Sequence, residues 1–111
     1  MATLSKDAIL AKRDCPVHPV EVPEWDNDVV YVRTLSAAEY LNVSTIDSDD
    51  PFRLADYAIL FLCDEQGKAI FAAEDREALA AKRGKAIERI VTAGLKFNGL
   101  VEDAIEAEGN A

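Results

Sequence analysis

The sequence has few of the residues from which catalytic and metal sites are usually built. It contains one histidine, His18, and two cysteines, Cys15 and Cys63. A closed zinc site needs four ligands, so the pair Cys15 and His18 falls short despite its favourable spacing. The same pair lacks the orienting third group and the oxyanion site that nucleophilic catalysis requires. The sequence therefore predicts a protein that is not an enzyme and holds no metal.

Phosphate-binding loops and long apolar runs are missing as well. No glycine-rich loop follows a strand pattern, so no nucleotide cofactor is expected. A membrane-spanning helix needs about 20 consecutive apolar residues, and no segment approaches that length. The opening segment, MATLSKDAILAKRD, is interrupted by charges, unlike the apolar centre of a signal peptide. We therefore expect no membrane association and a cytoplasmic location.

Positive charge is also scarce. The chain has 12 lysines and arginines against 21 aspartates and glutamates, which gives a net charge of −9. Phosphate backbones repel such a chain, so nucleic acid is disfavoured as a general partner. The acidity favours solubility and leaves open a basic protein partner.

The sequence does contain a clear pattern for a hairpin followed by a helix. Val20–Trp25 and Val29–Arg33 are predicted as strands, joined by the turn Asp26-Asn27-Asp28. The prolines near the first strand place it at a sheet edge, where a missing N–H is tolerated. Ser36 and Glu39 then have the spacing of a capping box, which predicts the start of a helix.

Helical patterns account for most of the remaining chain. The segment 52–63 is apolar around most of its circumference, which predicts a helix buried at the centre of the domain. The sequence predicts a small α+β domain in which the hairpin packs on about four helices. This domain spans residues 1–99, and residues 100–111 form an acidic tail. The predicted helices are 6–13, 36–41, 52–63, 73–82 and 85–97.

Two groups of apolar residues are candidates for partner binding. Trp25 is the only tryptophan and stands at a turn; such aromatic residues anchor interfaces, but they also fold back to cover a core. Leu100, Val101, Ala104 and Ile105 would form one apolar stripe if the tail were helical. A helix this short is only marginally stable by itself. The alternatives for the tail are that it frays, that it packs on the domain, or that it becomes ordered on a partner.

Most other charged residues have an explanation in local structure. The acidic pairs at 49–50, 64–65 and 74–75 fall in turns or at helix starts, where carboxylates accept backbone N–H bonds. Lys82, Lys85, Arg89 and Lys96 share the side of the last helix opposite its apolar face. They are predicted to face solvent, and contact with an acidic partner is the alternative.

Several motifs, taken in order, resemble one known family. A strand that carries an acidic residue next to tryptophan precedes Tyr-Val-Arg and a Leu-Ser-x-x-Glu helix start. An Asp-Glu-x-Gly turn then leads to a phenylalanine, and the last helix ends in Phe-Asn-Gly-Leu. Over about residues 9–100, the chain is similar to tail assembly chaperones of long-tailed, siphovirus-like bacteriophages or their prophages. The chain departs from the family pattern at one position: a Ser, Thr or Asp is usual as the helix cap after Phe71, and Ala72 stands there. The motif residues are Trp25, Tyr31-Val32-Arg33, Leu35-Ser36, Glu39, Asp64-Glu65, Gly67, Phe71 and Phe97-Asn98-Gly99-Leu100.

The resemblance implies a non-enzymatic assembly factor. Such proteins bind the helical tape-measure protein and keep it soluble until tail-tube subunits polymerise around it. It further implies a location in the host cytoplasm and absence from the mature virion. In many of these phages a ribosomal frameshift adds a second domain that recruits the major tail protein, and this chain would be the unextended form. Self-association is left open.

Two other functions remain as alternatives. A structural tail-completion or connector subunit would be found in purified particles, whereas a chaperone would not. A small acidic regulatory module would bind a basic protein through surface charge, which salt screens over about 10 Å at 0.1 M. A chaperone that binds apolar surface is expected to tolerate salt better.

Overall fold

The computed structural model describes residues 3–100. Its β-structure is one antiparallel sheet with the strand order β1-β2-β3. Strand β1 is Val17–Val22, β2 is Asp28–Arg33 and β3 is Leu62–Cys63. Because β1 pairs only with β2 in this sheet, it lies at an edge, as its prolines predicted.

The first strand is shifted relative to its prediction. It ends at Val22 instead of Trp25, because Pro23 begins a 3-10 turn, Pro23–Trp25. Asp26 and Asn27 follow with φ of 56° and 63°, a left-handed backbone that these two residue types tolerate. The Asn27 N–H donates to the Val22 carbonyl at 3.1 Å, so the turn closes directly onto the end of β1.

The α+β class is confirmed, with a hairpin and five α-helices in residues 3–100. Four helices, the first four in chain order, are shorter than predicted. The central helix ends at Phe61 because Leu62 turns extended and pairs with Val32 of β2. The helix predicted over 73–82 begins as a 3-10 turn at 73–75 and is α-helical only afterwards. The helices are α1 Lys6–Leu10, α2 Ala37–Tyr40, α3 Arg53–Phe61, α4 Arg76–Ala80 and α5 Gly84–Phe97.

The core lies between the sheet and helices α3 and α5. Val20 and Val22 alternate inward from β1, and Val32 joins them from β2. Phe61 of α3 and Ile90 of α5 are fully buried against this face. The apolar stripe of α5 is thus the contact that joins the C-terminal helix to both the sheet and α3.

The end of α5 is closed by a Schellman motif. Gly99 has a φ of +69°, its N–H donates to the Lys96 carbonyl at 3.0 Å, and the Leu100 N–H donates to the Leu95 carbonyl at 2.8 Å. Leu100 is half-buried and packs against the core. The helix end predicted at Asn98-Gly99 is therefore confirmed. The division at residues 99 and 100 into domain and tail stays a prediction.

None of the helices in the described part of the chain is both long enough and apolar enough to cross a membrane.

Candidate functional site

A groove of about 440 Å³ lies beside α3. Its apolar surface comes from three separate segments: Ile46 after α2, Ile59 and Leu60 of α3, and Phe71 before α4. Arg33 and Asp56 add charged groups, and Asn42, Thr45, Ala69 and Ala73 complete the lining. No local motif marks these residues, so the sequence analysis did not predict the groove.

Acidic residues neighbour two of the lining segments in the chain. Asp47 and Asp49 follow Ile46 in the chain, Glu74 follows Ala73, and all three are exposed. The segments 42–50 and 69–75 contain no lysine or arginine. Arg33 lines the groove, however, and Lys68 and Arg76 adjoin the segment 69–75, so the region carries charges of both signs.

Arg76 holds one side of the groove in place. Its guanidinium donates to both carboxylate oxygens of Asp56, at 2.8 and 3.0 Å, and also pairs with Asp50. The guanidinium carbon lies 4.8 Å from the ring centroid of Phe52, a cation–π contact. Hydrogen bonds from the Phe52 backbone and then from Arg76 lower the pKa of Asp50. The two aspartates are therefore occupied in joining α4 to α3.

A second polar cluster contains several of the motif residues that carry the family resemblance. Arg33 donates to the Leu60 carbonyl at 2.7 Å and to Glu39 at 2.6 Å. Glu39 also completes the predicted capping box with Ser36, and the Ser36 backbone N–H is the main cause of its lowered pKa. The cluster joins β2, α2 and α3, which is a structural role.

Asn98 attaches the end of α5 to the same region. Its side-chain oxygen accepts from the Leu35 N–H at 2.8 Å, and its amide donates to the carbonyls of Arg33 at 3.1 Å and Gly94 at 2.8 Å. We call these contacts the Asn98 clamp. The sequence analysis identified Asn98 only as a helix end and missed this role, because its partners lie about 60 positions earlier.

His18 is held by its neighbours, and the two cysteines lie in different environments. His18 stacks on Phe97 with ring centroids 3.9 Å apart, and its Nε2 is hydrogen-bonded to Thr34 Oγ1 at 3.1 Å. Cys15 is exposed, whereas Cys63 is buried, and burial raises the pKa of the Cys63 thiol. Within residues 3–100, no group of three or more His, Cys, Asp or Glu side chains is arranged to hold a metal ion.

The predicted partner-binding residues are only partly within the described chain. Trp25 is half-buried and packs against the core, which agrees with its interpretation as a core cover. Leu100 packs there too, so it is not a free surface residue. Val101, Ala104 and Ile105 lie outside the described residues. Of the predicted set, the structure therefore places only Trp25 and Leu100, and both lie against the core.

The basic residues on this side of α5 are not all available to a partner. Arg89 makes a two-point ion pair with Glu24 of the hairpin turn, at 2.8 and 2.9 Å. Lys85 lies 3.4 Å from Glu88 on the same helix. Lys82 and Lys96 are exposed, as predicted for this side. The Arg89 pair serves the contact between the hairpin and α5, so only part of the stripe is available to a partner.

The Glu24–Arg89 pair predicts a specific acid sensitivity. Its hydrogen bonds lower the pKa of Glu24 from 4.5 to about 2, so the folded state holds this carboxylate ionised more strongly than the unfolded state does. Its contribution to stability is complete above the unfolded pKa and is lost as the pH falls towards 2. The melting temperature of wild type should therefore exceed that of Glu24→Gln near neutral pH, and the difference should shrink below the unfolded pKa of 4.5 and largely disappear as the pH reaches about 2.

Melting curves between about pH 7 and pH 2 measure this difference. Glu21→Gln, at an exposed position on β1, is the matched control and should follow the wild-type curve. A constant difference between wild type and Glu24→Gln across the range would contradict the assignment.

Comparison with known proteins bears on the fold. The chain is similar to the solved structure of the bacteriophage HK97 tail assembly chaperone, with a TM-score of 0.57 and 20% sequence identity. The match covers 74% of this chain and 84% of that chain. No protein-family model matches the sequence, and no curated protein matches it either. The similarity therefore shows that the chain has a fold like that of a phage tail assembly chaperone.

Proposed function

We propose that the chain is a non-enzymatic phage tail assembly chaperone that binds a tape-measure protein and keeps it soluble before tail-tube assembly. The observation that carries this proposal is the similarity in fold to the HK97 tail assembly chaperone over 74% of the chain. The motif resemblance adds support, because Arg33, Glu39 and Asn98 of those motifs meet at one end of the domain.

The physical properties of the chain suit such a role. A protein that holds an apolar helical client must cover surface that would otherwise associate. Its net charge of −9 would keep the resulting complex soluble. We propose that the client contacts the apolar residues of the acidic tail, Val101, Ala104 and Ile105, which follow the Schellman motif at the end of α5.

A double substitution, Val101→Asp with Ile105→Asp, should weaken client binding at least about tenfold, since buried apolar anchors dominate such contacts. Leu100 is left unchanged because it packs against the core. The measurement is the dissociation constant for the purified tape-measure fragment. Glu102→Gln with Asp103→Asn is the control in the same segment and should bind like wild type. Equal binding by the apolar variant would remove the tail from the client site.

The place of the protein in assembly is a further part of the proposal. A chaperone acts in the host cytoplasm and is left behind when the tail is complete. Mass spectrometry of purified particles should therefore detect the tail-tube and tape-measure proteins but not this chain. Its presence at a defined copy number would favour a structural tail-completion or connector subunit instead.

We also propose a longer, frameshifted form that recruits the major tail protein. Expression of the gene with an N-terminal tag and its native downstream DNA should give a minor larger band on a blot. The codons for Glu108, Gly109 and Asn110 are compatible with a slippery heptamer, GAG-GGA-AAC, and silent recoding of these codons should remove that band. A single short product under both conditions would show that this chaperone works without an extended form.

A further inference from the structure

The exposed side of α5 is a positive surface on an acidic chain. Residues 82–97 contain five basic residues and one glutamate, a net charge of +4, whereas residues 1–81 contain seven basic and sixteen acidic residues, a net charge of −9. At about 100° per residue, Lys85, Arg89 and Lys96 fall within about 40° of one another around the helix axis, and all three are exposed. We define the α5 basic face by its five exposed members: Lys82, Arg83, Lys85, Arg89 and Lys96.

Neighbouring carboxylates neutralise only part of this face. Glu24 pairs with Arg89, and Glu88 Oε1 lies 3.4 Å from Lys85 Nζ. The ion pairs within residues 3–100 leave three members of the face unpaired: Lys82, Arg83 and Lys96. The face therefore keeps an excess of positive charge that attracts carboxylates.

The acidic tail has the complementary charge and follows directly on the same helix. Its residues 101–111 include four acidic residues and no basic one. Leu100 is held at the end of α5 by its N–H bond to the Leu95 carbonyl. From Leu100 an extended chain reaches about 20 Å at Glu106 and about 27 Å at Glu108, whereas the 14 residues of α5 span only about 21 Å. Both carboxylates are therefore within reach of the α5 basic face.

We propose that the acidic tail folds back onto the α5 basic face of its own chain, with Glu106 and Glu108 opposite Lys85 and Lys96. Because the tail is attached to α5, its carboxylates have an effective concentration on the order of millimolar at the face, which favours them over carboxylates on separate molecules. Each exposed pair is weak alone, so the contact rests on several charges acting together and is sensitive to salt. It covers positive charge that would otherwise attract acidic surfaces of other proteins. No client takes part in this contact, so its failure would leave the proposed function untouched.

Carbodiimide cross-linking of the purified full-length chain in dilute solution tests the contact directly, because this reagent joins a carboxylate to an amine only where the two touch. Peptide mass spectrometry of the monomer band should identify links from Lys85 and Lys96 to Glu106 or Glu108. Lys6, exposed at the start of α1, is the reference amine and should be linked to the tail at least about fivefold less. Raising the salt from about 0.05 to 1 M should lower the α5 links by a similar factor, because the screening length falls to about 3 Å. Equal linkage of Lys6 would overturn the proposal, and so would links found only in a dimer band, which would place the tail on another copy.

Energy transfer from the single tryptophan gives a second readout that does not depend on lysine chemistry. Trp25 is the only tryptophan of the chain, and Glu24 beside it pairs with the α5 basic face. An acceptor dye would be attached at Ala107→Cys in a Cys15→Ser background, since the remaining cysteine, Cys63, is buried. A tail that folds back brings the dye close to the tryptophan, so transfer should be high at low salt and fall as the salt is raised.

Reversing charges on the face separates attraction from chance contact. Lys85→Glu with Lys96→Glu should lower the transfer to about half or less, because the tail then meets like charge. Lys6→Glu with Lys12→Glu is the matched control: it makes the same change in net charge at exposed positions outside α5 and should transfer like wild type. Circular dichroism of each variant checks that its helices are retained.

Reversing charges on the tail should then restore the contact. Glu106→Lys with Glu108→Lys, added to the Lys85→Glu and Lys96→Glu variant, places opposite charges together again and should regain at least part of the lost transfer. A face variant that transfers like wild type, or a reversed tail that regains nothing, would overturn the proposal.

Discussion

Replacing Gly94 by alanine should lower the free energy of unfolding by about 2 kcal/mol, although alanine is the better helix former by about 1 kcal/mol. A Cβ at this position would lie 2.4 Å from two ring carbons of Phe61. Phe61 is fully buried, so its ring has no free space into which to move. The overpacking therefore outweighs the gain in helix propensity.

Gly84 provides the matched control for this prediction. It lies in the same helix, and a Cβ there would meet nothing within 4 Å. Gly84→Ala should leave stability unchanged or raise it by less than about 1 kcal/mol. Urea unfolding followed by circular dichroism measures both variants. Equal stability of Gly94→Ala and wild type would show that α3 and α5 are not as close as described.

A double-mutant cycle would identify Phe61 as the cause. Phe61→Leu removes the ring that the new methyl group contacts, at the cost of a cavity. If the ring is responsible, Gly94→Ala should be less destabilising in the Phe61→Leu background, with a coupling energy of about 1 kcal/mol or more. Additive effects would mean that the strain arises from another contact of α5.

Removing the Asn98 clamp should also have a large effect. Asn98→Ala deletes two hydrogen bonds that join the end of α5 to Arg33 and Leu35, and a third to the Gly94 carbonyl within α5. Half-buried backbone groups then lose their partners, at about 1–3 kcal/mol for each one that water cannot reach. We expect a loss of about 2–3 kcal/mol in the free energy of unfolding.

The charged analogue makes this test more specific. Asn98→Asp keeps the acceptor for the Leu35 N–H but places a carboxylate oxygen against the carbonyls of Arg33 and Gly94. It should therefore destabilise about as much as alanine does. Asn42→Ala, at an exposed position, should stay within about 0.5 kcal/mol of wild type. An Asn98→Ala variant as stable as Asn42→Ala would contradict the clamp.

The parts of the fold that were predictable from sequence are those that local chemistry determines. The hairpin follows from β-branched residues around an Asp-Asn turn, and both turn residues adopt the positive φ that such a turn needs. The capping box at Ser36 and Glu39 and the glycine end of α5 are formed as predicted. Each of these involves residues within about six positions of one another in the chain.

The errors arise where distant partners decide the outcome. Leu62 and Cys63 continue the apolar pattern of α3, yet they form β3 because Val32 and Tyr31 of β2 offer an edge for pairing. The strand predicted over 20–25 moved because Pro23 favours the first position of a 3-10 turn. Hydrophobic periodicity alone reveals neither the strand pairing of Leu62 and Cys63 nor the effect of Pro23.

The candidate site was harder to predict than the fold. The groove surface combines Ile46, Ile59 and Phe71, which come from three segments, and none of them belongs to a recognisable motif. The Asn98 clamp and the Glu24–Arg89 pair each join residues about 60 positions apart. The sequence showed α1 only as a short helix, because the exposure of Ile9 and Leu10 becomes evident only when the folded body is known.

The most direct test of the central claim is the solubility of the client. The tape-measure protein encoded in the same genome would be expressed alone, with this chain, and with the Val101→Asp and Ile105→Asp variant. The account predicts that the wild-type chain moves the tape-measure protein into the soluble fraction and co-elutes with it, and that the variant does so less. An insoluble tape-measure protein in all three cases, with no co-elution, would contradict the assignment as a tail assembly chaperone.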